Sequence, residues 1–216
     1  MRAMGFKWLV ARWAAVMADN RDYLIDLDSV VGDGDLGLTM SDGFKAASEA
    51  VAAVDEEDIG KLAYLAGKAM STAVPSTMGT LMASGLMNAG KALKGETALG
   101  PADTALFFRA YFEGVQGRGK AVVGEKTFLD GLYPAVLSLS EDAEKGTDIR
   151  EAADNAAHRA HEAFLATKGM LAKHGRAAAR GESSRDLLDP GAAVAALLIK
   201  GYAGYINETA GSGHDN

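Results

Sequence analysis

Apolar residues recur along this chain at the spacing of helix turns, and no stretch alternates convincingly as a strand. Phe6, Leu9, Val10, Trp13, Val16 and Met17 share one face of a helix that runs from about Phe6 to the approach of Asp28. A second helix opens near Leu36, with Met40, Phe44, Ala47 and Val51 on its core side. The acidic run Asp55–Asp58 complements the dipole at the start of a third, which carries Leu62, Leu65, Ala66 and Ala69. Met82, Leu86, Ala89 and Leu93 mark a fourth. Gly100-Pro101 starts a fifth, with proline in its tolerated first-turn place, and Leu106, Phe107, Ala110 and Tyr111 form its core face up to Gly117 and Gly119. Leu132, Val136 and Leu139 follow Thr127 in a sixth, where Pro134 predicts a kink or a late start. An alanine-rich helix spans roughly Arg150 to Leu171, and Asp189-Pro190 opens a last one with Ala195, Ala196, Ile199 and Ala203. The pattern predicts an all-α protein of about eight helices.

The connections are less ordinary than the helices. Leu27–Gly37 packs Asp28, Asp33 and Asp35 among Gly32, Gly34 and Gly37. Asp33 and Asp35 are separated only by Gly34, so their charges repel in an empty site. A hard cation among them reverses the sign, and Mg²⁺ is commonly held by one or two carboxylates plus substrate phosphates. Gly32-x-Gly34-x-x-Gly37 also fits the dinucleotide fingerprint. That motif offers bare amides to a pyrophosphate, however, and its variable positions here are acidic. A calcium EF-hand fails on spacing and lacks the closing Glu. The plain alternative is an Asp-rich turn that caps the next helix.

Three further loops sit at helix ends. Ser71–Thr80 is rich in hydroxyls and broken by Pro75. Its turn suits a phosphate at a helix N-terminus, or a simple Ser/Thr cap. Gly124–Asp130 contains Lys126, which could meet a phosphate or lie exposed, and Thr127, a candidate cap. Gly175–Arg185 carries three arginines between glycines, suited to anion contact or to a solvated surface. Gly85-x-x-x-x-Gly90-Lys91-Ala92 is rejected as a P-loop, because Ala92 replaces the Mg²⁺-binding hydroxyl and no strand precedes it. His158 and His161 share a helix face without a third ligand and read as surface or interface residues. If neighbouring helices run antiparallel, loops one helix pair apart reach the same end of a bundle and can converge on one ligand.

The 216 residues suffice for one domain, read as 1–210, with 211–216 as a disordered tail. With 48% hydrophobic and 24% charged residues the composition is ordinary for a globular protein. The absence of cysteine excludes disulfides, thiol nucleophiles and thiolate metal sites, and fits a cytoplasmic setting. A net charge of −7 argues against nucleic acid and anionic membrane as partners. Arg12 interrupts the first apolar run, so it does not read as a signal peptide, and no stretch is apolar enough to span a bilayer.

Four motifs in order carry a family resemblance: Asp28-x-x-x-x-Asp33-Gly34-Asp35-x-Gly37; Met78-Gly79-Thr80; Gly124-Glu125-Lys126-Thr127; and Gly175-Arg176-Ala177 with Gly181-Glu182 and Asp189-Pro190-Gly191-Ala192. Together they resemble the nucleotide-binding (DhaL-type) subunits of dihydroxyacetone kinase. The resemblance implies an eight-helix antiparallel barrel with ADP or ATP at one open end. It implies two Mg²⁺ ions on Asp28, Asp33 and Asp35, with Ser76, Thr77, Gly79 and Thr80 near the phosphates. Gly124, Lys126, Thr127, Phe128, Arg176, Asp189 and Pro190 would belong to the stretches that wall the nucleoside. It further implies a separate sugar-binding (DhaK-like) partner subunit, so that this chain is the phosphoryl-donor half of a kinase for dihydroxyacetone or a related short ketose or polyol. The donor would be free ATP or ADP recharged by a phosphotransferase protein.

Departures from the family pattern are Leu36 where histidine is usual, Ser183 where arginine follows Gly-Glu, Glu125 for aspartate, and a shorter segment before Met78. They suggest a divergent member. A nucleotide-sensing regulatory module and a metal-dependent phosphatase are the alternatives.

Overall fold

The protein, a computed structural model, is described here over residues 1–212. Its helices are α1 (Ala3–Asp19), α2 (Arg21–Val31), α3 (Leu36–Ala52), α4 (Ile59–Ala73), α5 (Thr77–Ala92), α6 (Pro101–Gly119), α7 (Phe128–Lys145), α8 (Ile149–Leu165), the single turn α9 (Gly175–Ala178) and α10 (Pro190–Ser212). A 3-10 turn covers Gly181–Asp186. Among the described residues no strand occurs; Arg2 and Ala98 form one isolated bridge.

Eight of these helices are 15 residues or longer, and they close a ring. Packing runs α1 on α3, α3 on α4, and onward in chain order to α8 on α10, which returns to α1. The all-α, eight-helix antiparallel barrel expected from the sequence is therefore the observed architecture. Alternation of direction puts four connections at one end: 32–35, 74–76, 120–127 and 166–189. These are the four loops singled out by composition.

The apolar faces inferred from the 3.6-residue period are for the most part the buried ones, although Val16, Leu65 and Ala69 are only half-buried. Trp13 lies at the centre, fully buried, with its ring against Phe44, Phe107 and Phe108. Its indole N–H donates to Leu198 O of α10 at 2.8 Å, so the polar edge of the largest core side chain is satisfied. Helix α10 is buried nearly all round, from Ala192 to Ile199 and again at Tyr202 and Tyr205.

Several expectations are corrected. The first helix breaks at Asn20, whose side-chain amide bonds Val16 O at 2.8 Å, so Asp28 belongs to a separate helix, α2. Leu106 is exposed on α6, and Phe108 takes the core position. α7 begins ahead of Pro134, because Thr127 and Asp130 form a reciprocal cap. α8 ends at Leu165, not Leu171, and Gly169 turns the chain away at φ 97°. α10 continues through Gly211 and Ser212; residues 213–216 of the expected tail lie outside the described residues. Among the described residues no helix is long and apolar enough to cross a membrane.

Two tests follow from this packing. A Cβ on Gly90 of α5 would lie 2.5 Å from Gly60 O and 2.6 Å from Tyr64 N of α4, both backbone atoms. Gly90→Ala gains about 1 kcal/mol of helix propensity but suffers overpacking of about 1–3 kcal/mol. Net destabilisation is therefore expected in a denaturant titration. Asp189 caps α10, accepting from Ala192 N at 2.7 Å, and its burial pushes the carboxyl from 3.8 up to about 7. A raised folded pKa contributes stability that is complete below pH 3.8 and lost as pH rises through about 7. Asp189→Asn keeps a good cap. Its stability relative to wild type should thus improve from pH 4 to pH 8, read from paired melting curves.

Candidate functional site

The last turn of α2 and the first turn of α3 deliver the three aspartates. Asp28 is helical, and Gly32 N closes that helix on Asp28 O. A Cβ on Gly32 would lie 2.6 Å from Asp28 Oδ1, so only glycine leaves room for the carboxylate there. Gly34, at φ 74°, reverses the chain between Asp33 and Asp35. Asp35 occupies the N-cap position of α3, yet its side chain makes no cap bond. The capping role in this turn falls instead to Asp28, whose Oδ2 accepts from Leu36 N at 3.4 Å, and Asp35 borders the cavity.

One carboxylate oxygen from each of Asp28, Asp33 and Asp35 lies within 4.8 Å of the others. Three hard anionic donors at that separation suit Mg²⁺ or a similar cation. The pKa of Asp28 is raised above the usual carboxylate value, mainly by burial and further by the negative charges of Asp33 and Asp35, against the N–H of Leu36 that opposes the shift. Arg176 from the 166–189 strap stands in as a cation, its guanidinium 2.6 Å from Asp33 Oδ2.

The aspartates border a cavity of about 310 Å³ that also includes Ser76, Thr77, Arg176, Asp189 and Pro190. Ser76 caps α5, its hydroxyl accepting from Gly79 N at 3.0 Å. The first-turn amides of such a helix have no partner within it and attract anions. Ser76 thus serves as the cap and also brings a helix N-terminus to the cavity.

A second cavity of about 640 Å³ adjoins the first, sharing Ser76, Thr77, His174 and Asp189. Its apolar lining includes Pro75, Met78, Leu81, Val115, Phe128 and Leu129. The volume and apolar character suit a ligand-binding cleft. Two adjoining cavities, one ringed by carboxylates and one mostly apolar, have the division of a nucleotide site.

Of the residues picked out by sequence, Thr80, Lys126, Thr127 and Phe128 border the larger cavity. Gly79 and Gly124 border neither cavity. Gly79 packs beneath Val74, and Gly124 N donates to Asp130 Oδ1 at 2.5 Å. The Lys126 ammonium is buried and engaged by main-chain carbonyls, at 2.5 Å from Ser184 O and Leu187 O, so it is neither exposed nor poised for a phosphate, the two alternatives its sequence context left. The Asp189 carboxylate is occupied by the α10 cap. Leu36, at the position where the family has histidine, turns into the core. Ser183 donates to Arg180 O within the strap.

Sequence reasoning missed His174, which borders both cavities and meets Glu125 Oε2 at 2.5 Å. That partner holds the Glu125 carboxyl below its usual pKa range, with further help from the Val122 N–H. It also missed Leu81, Val115 and Arg118, helix residues whose spacing is that of ordinary helix positions.

A family model described as the DAK2 domain matches residues 30–204. The chain is 32% identical over 193 residues to the PEP-dependent dihydroxyacetone kinase, ADP-binding subunit DhaL, of Escherichia coli, covering 89% of this chain and 91% of that one. It is 34% identical over 181 residues to the corresponding DhaL subunit of kinase 1 of Listeria innocua, covering 84% and 85%. Among solved structures, the dihydroxyacetone kinase of C. freundii in complex with AMP-PNP and Mg²⁺ shares the fold, with a TM-score of 0.71 at 22% identity. That match covers 92% of this chain, which spans only a third of the solved kinase (33%). On the matched domain, the length of the shared alignment and the barrel itself, the chain belongs to the DAK2-domain family that includes the DhaL subunits of dihydroxyacetone kinases.

Proposed function

We propose that this chain is the nucleotide-binding half of a two-part kinase. It holds ADP or ATP with Mg²⁺ and presents the terminal phosphoryl group to dihydroxyacetone, or a related short ketose or polyol, bound on a separate subunit. The observation that carries this reading is the convergence of Asp28, Asp33 and Asp35 beside the N-terminus of α5, at the mouth of an apolar cavity large enough for a nucleoside.

Phosphoryl transfer relies on positioning and charge neutralisation more than on covalent groups. Asp28, Asp33 and Asp35 would hold magnesium, with two ions the family expectation, and the metal would supply charge neutralisation to the phosphates. The chain's own residues do the rest. The first turn of α5 turns partial positive charge toward the phosphates. Arg176, already at the carboxylates, is within reach of any anion bound beside them. Met78, Leu81 and Phe128 receive the base and exclude water from it.

The names of the two DhaL relatives support ADP as the resident nucleotide. Their dependence on PEP favours recharging of bound ADP by a phosphotransferase donor over exchange with free ATP. A DhaK-like partner carrying the sugar completes the reaction, and the cytoplasm supplies both phosphoryl sources.

Ligand binding to the native state alone raises its stability. At about 100 times its Kd, ADP with Mg²⁺ should add about 2.7 kcal/mol and raise the melting temperature by about 5–10 °C for a chain of this length. Asp33→Asn should remove most of that shift without lowering the melting temperature of the free protein. A wild-type shift that is nil, or one that Asp33→Asn leaves intact, would contradict the proposal.

A further inference from the structure

Lys126 is 3% exposed, and its backbone sits in the left-handed region at φ 60°. A non-glycine residue there is uncommon. Its ammonium donates to Ser184 O and Leu187 O at 2.5 Å and to Met170 O at 3.3 Å. An ammonium has three donors, so this set is complete and leaves none for a ligand. All three acceptors lie in the strap that joins α8 to α10.

Neighbouring bonds extend the seam. Glu125 O accepts from Lys173 N at 3.2 Å, and the Glu125 carboxylate meets His174. Inside the strap, Ala172 N donates to Ser184 Oγ at 3.1 Å and Gly169 N to Arg185 O at 2.8 Å, which ties its outgoing and returning halves together. Two residues beyond His174 comes Arg176, with its guanidinium at Asp33. The strap is thus anchored at the α6–α7 loop on one side of the cavities and reaches the aspartates on the other.

We propose that Lys126 is a positioning residue for Arg176. By gathering three carbonyls of the strap onto one buried ammonium, it fixes the loop whose next segment delivers the guanidinium to the phosphate end of the site. The buried lysine and the exposed arginine act as one unit, although neither touches the other. The effect of Lys126 on nucleotide affinity rests on the nucleotide-binding reading above; its effect on the strap does not.

The test has two arms. In the first, the nucleotide-free protein is digested briefly with trypsin, for which Lys173, Arg176, Arg180 and Arg185 offer cleavage points within the strap. Lys126→Met, which removes the donor but keeps the length, should accelerate cleavage in 168–185 about tenfold while cleavage elsewhere is unchanged. Equal rates in wild type and variant would overturn the proposal whether or not the protein binds nucleotide.

In the second arm, the Kd for ADP with Mg²⁺ is measured for wild type, Lys126→Met, Arg176→Ala and the double variant. Each single change should weaken binding about tenfold, and Lys126→Met should add less than about twofold in the Arg176→Ala background, the signature of coupled residues. Full additivity would overturn positioning through Arg176 while leaving nucleotide binding intact. No wild-type binding would instead contradict the proposed function.

Because the sequence contains no cysteine, Lys126→Cys introduces a unique thiol. Aminoethylation of that thiol in denaturant, followed by refolding, restores an ammonium at lysine length. Wild-type affinity should return with Arg176 present and not in the Arg176→Ala background. Carbamidomethylation, which adds no charge, should restore neither affinity nor protection from trypsin. Recovery by the neutral adduct would contradict a role for the ammonium.

Discussion

Carboxylates repel, and this fold forces three of them together. With oxygens of Asp28, Asp33 and Asp35 inside 4.8 Å, each pair carries a repulsion of about 1 kcal/mol if fully solvated and about 3 kcal/mol at the effective dielectric of a protein surface. The chain makes room for that crowding. Glycine at position 32 opens space beside the Asp28 carboxylate, and Gly34 takes the left-handed turn between the other two. Asp35 stands at a helix start without using its side chain there. Only a cation turns such an arrangement from a liability into a site. Arg176 supplies a single positive charge from across the cavity, and a divalent ion would supply more.

Holding the loops still enough for this is the work of the barrel. Trp13, bonded to the main chain of α10 and packed on Phe44, Phe107 and Phe108, ties α1 to helices on opposite sides of the ring. Ser76, Thr127 and Asp189 cap α5, α7 and α10 at the cavity end, so three of the four loops that border the site end in a helix capped by a side chain. The same Asp189 N–H is received by Thr167 Oγ1 at 3.0 Å, which joins the two ends of the strap. Rigidity at the helix starts and a crosslinked strap between them are what a site made from loops requires.

Most of the fold was legible because helical periodicity is a strong signal in long amphipathic segments: Met40–Val51 and Met82–Leu93 are buried as their spacing implies. The misses lie where a local polar bond decided the outcome. Nothing in the spacing shows that Asn20 will bond back to Val16 and split the first helix, or that Thr167 and Gly169 will end α8 early. The convergence of Asp28, Asp33 and Asp35 could be anticipated because three acids and three glycines fall within eleven residues. Lys126 could not, since a lysine in a loop is ordinarily exposed, and its acceptors Ser184 and Leu187 lie about sixty residues away in the chain. His174 escaped for the same reason: a lone histidine has meaning only once Glu125 is known to face it.

The most direct test is crystallographic: the protein crystallised with ADP and Mn²⁺, with anomalous differences collected at the manganese edge. Peaks about 2–2.5 Å from carboxylate oxygens of Asp28, Asp33 and Asp35, and contiguous with the phosphates of ADP, are expected. A nucleotide bound with no anomalous peak among those three side chains, or a manganese ion held elsewhere, would contradict the idea that this acidic turn exists to grip a metal-bound polyphosphate.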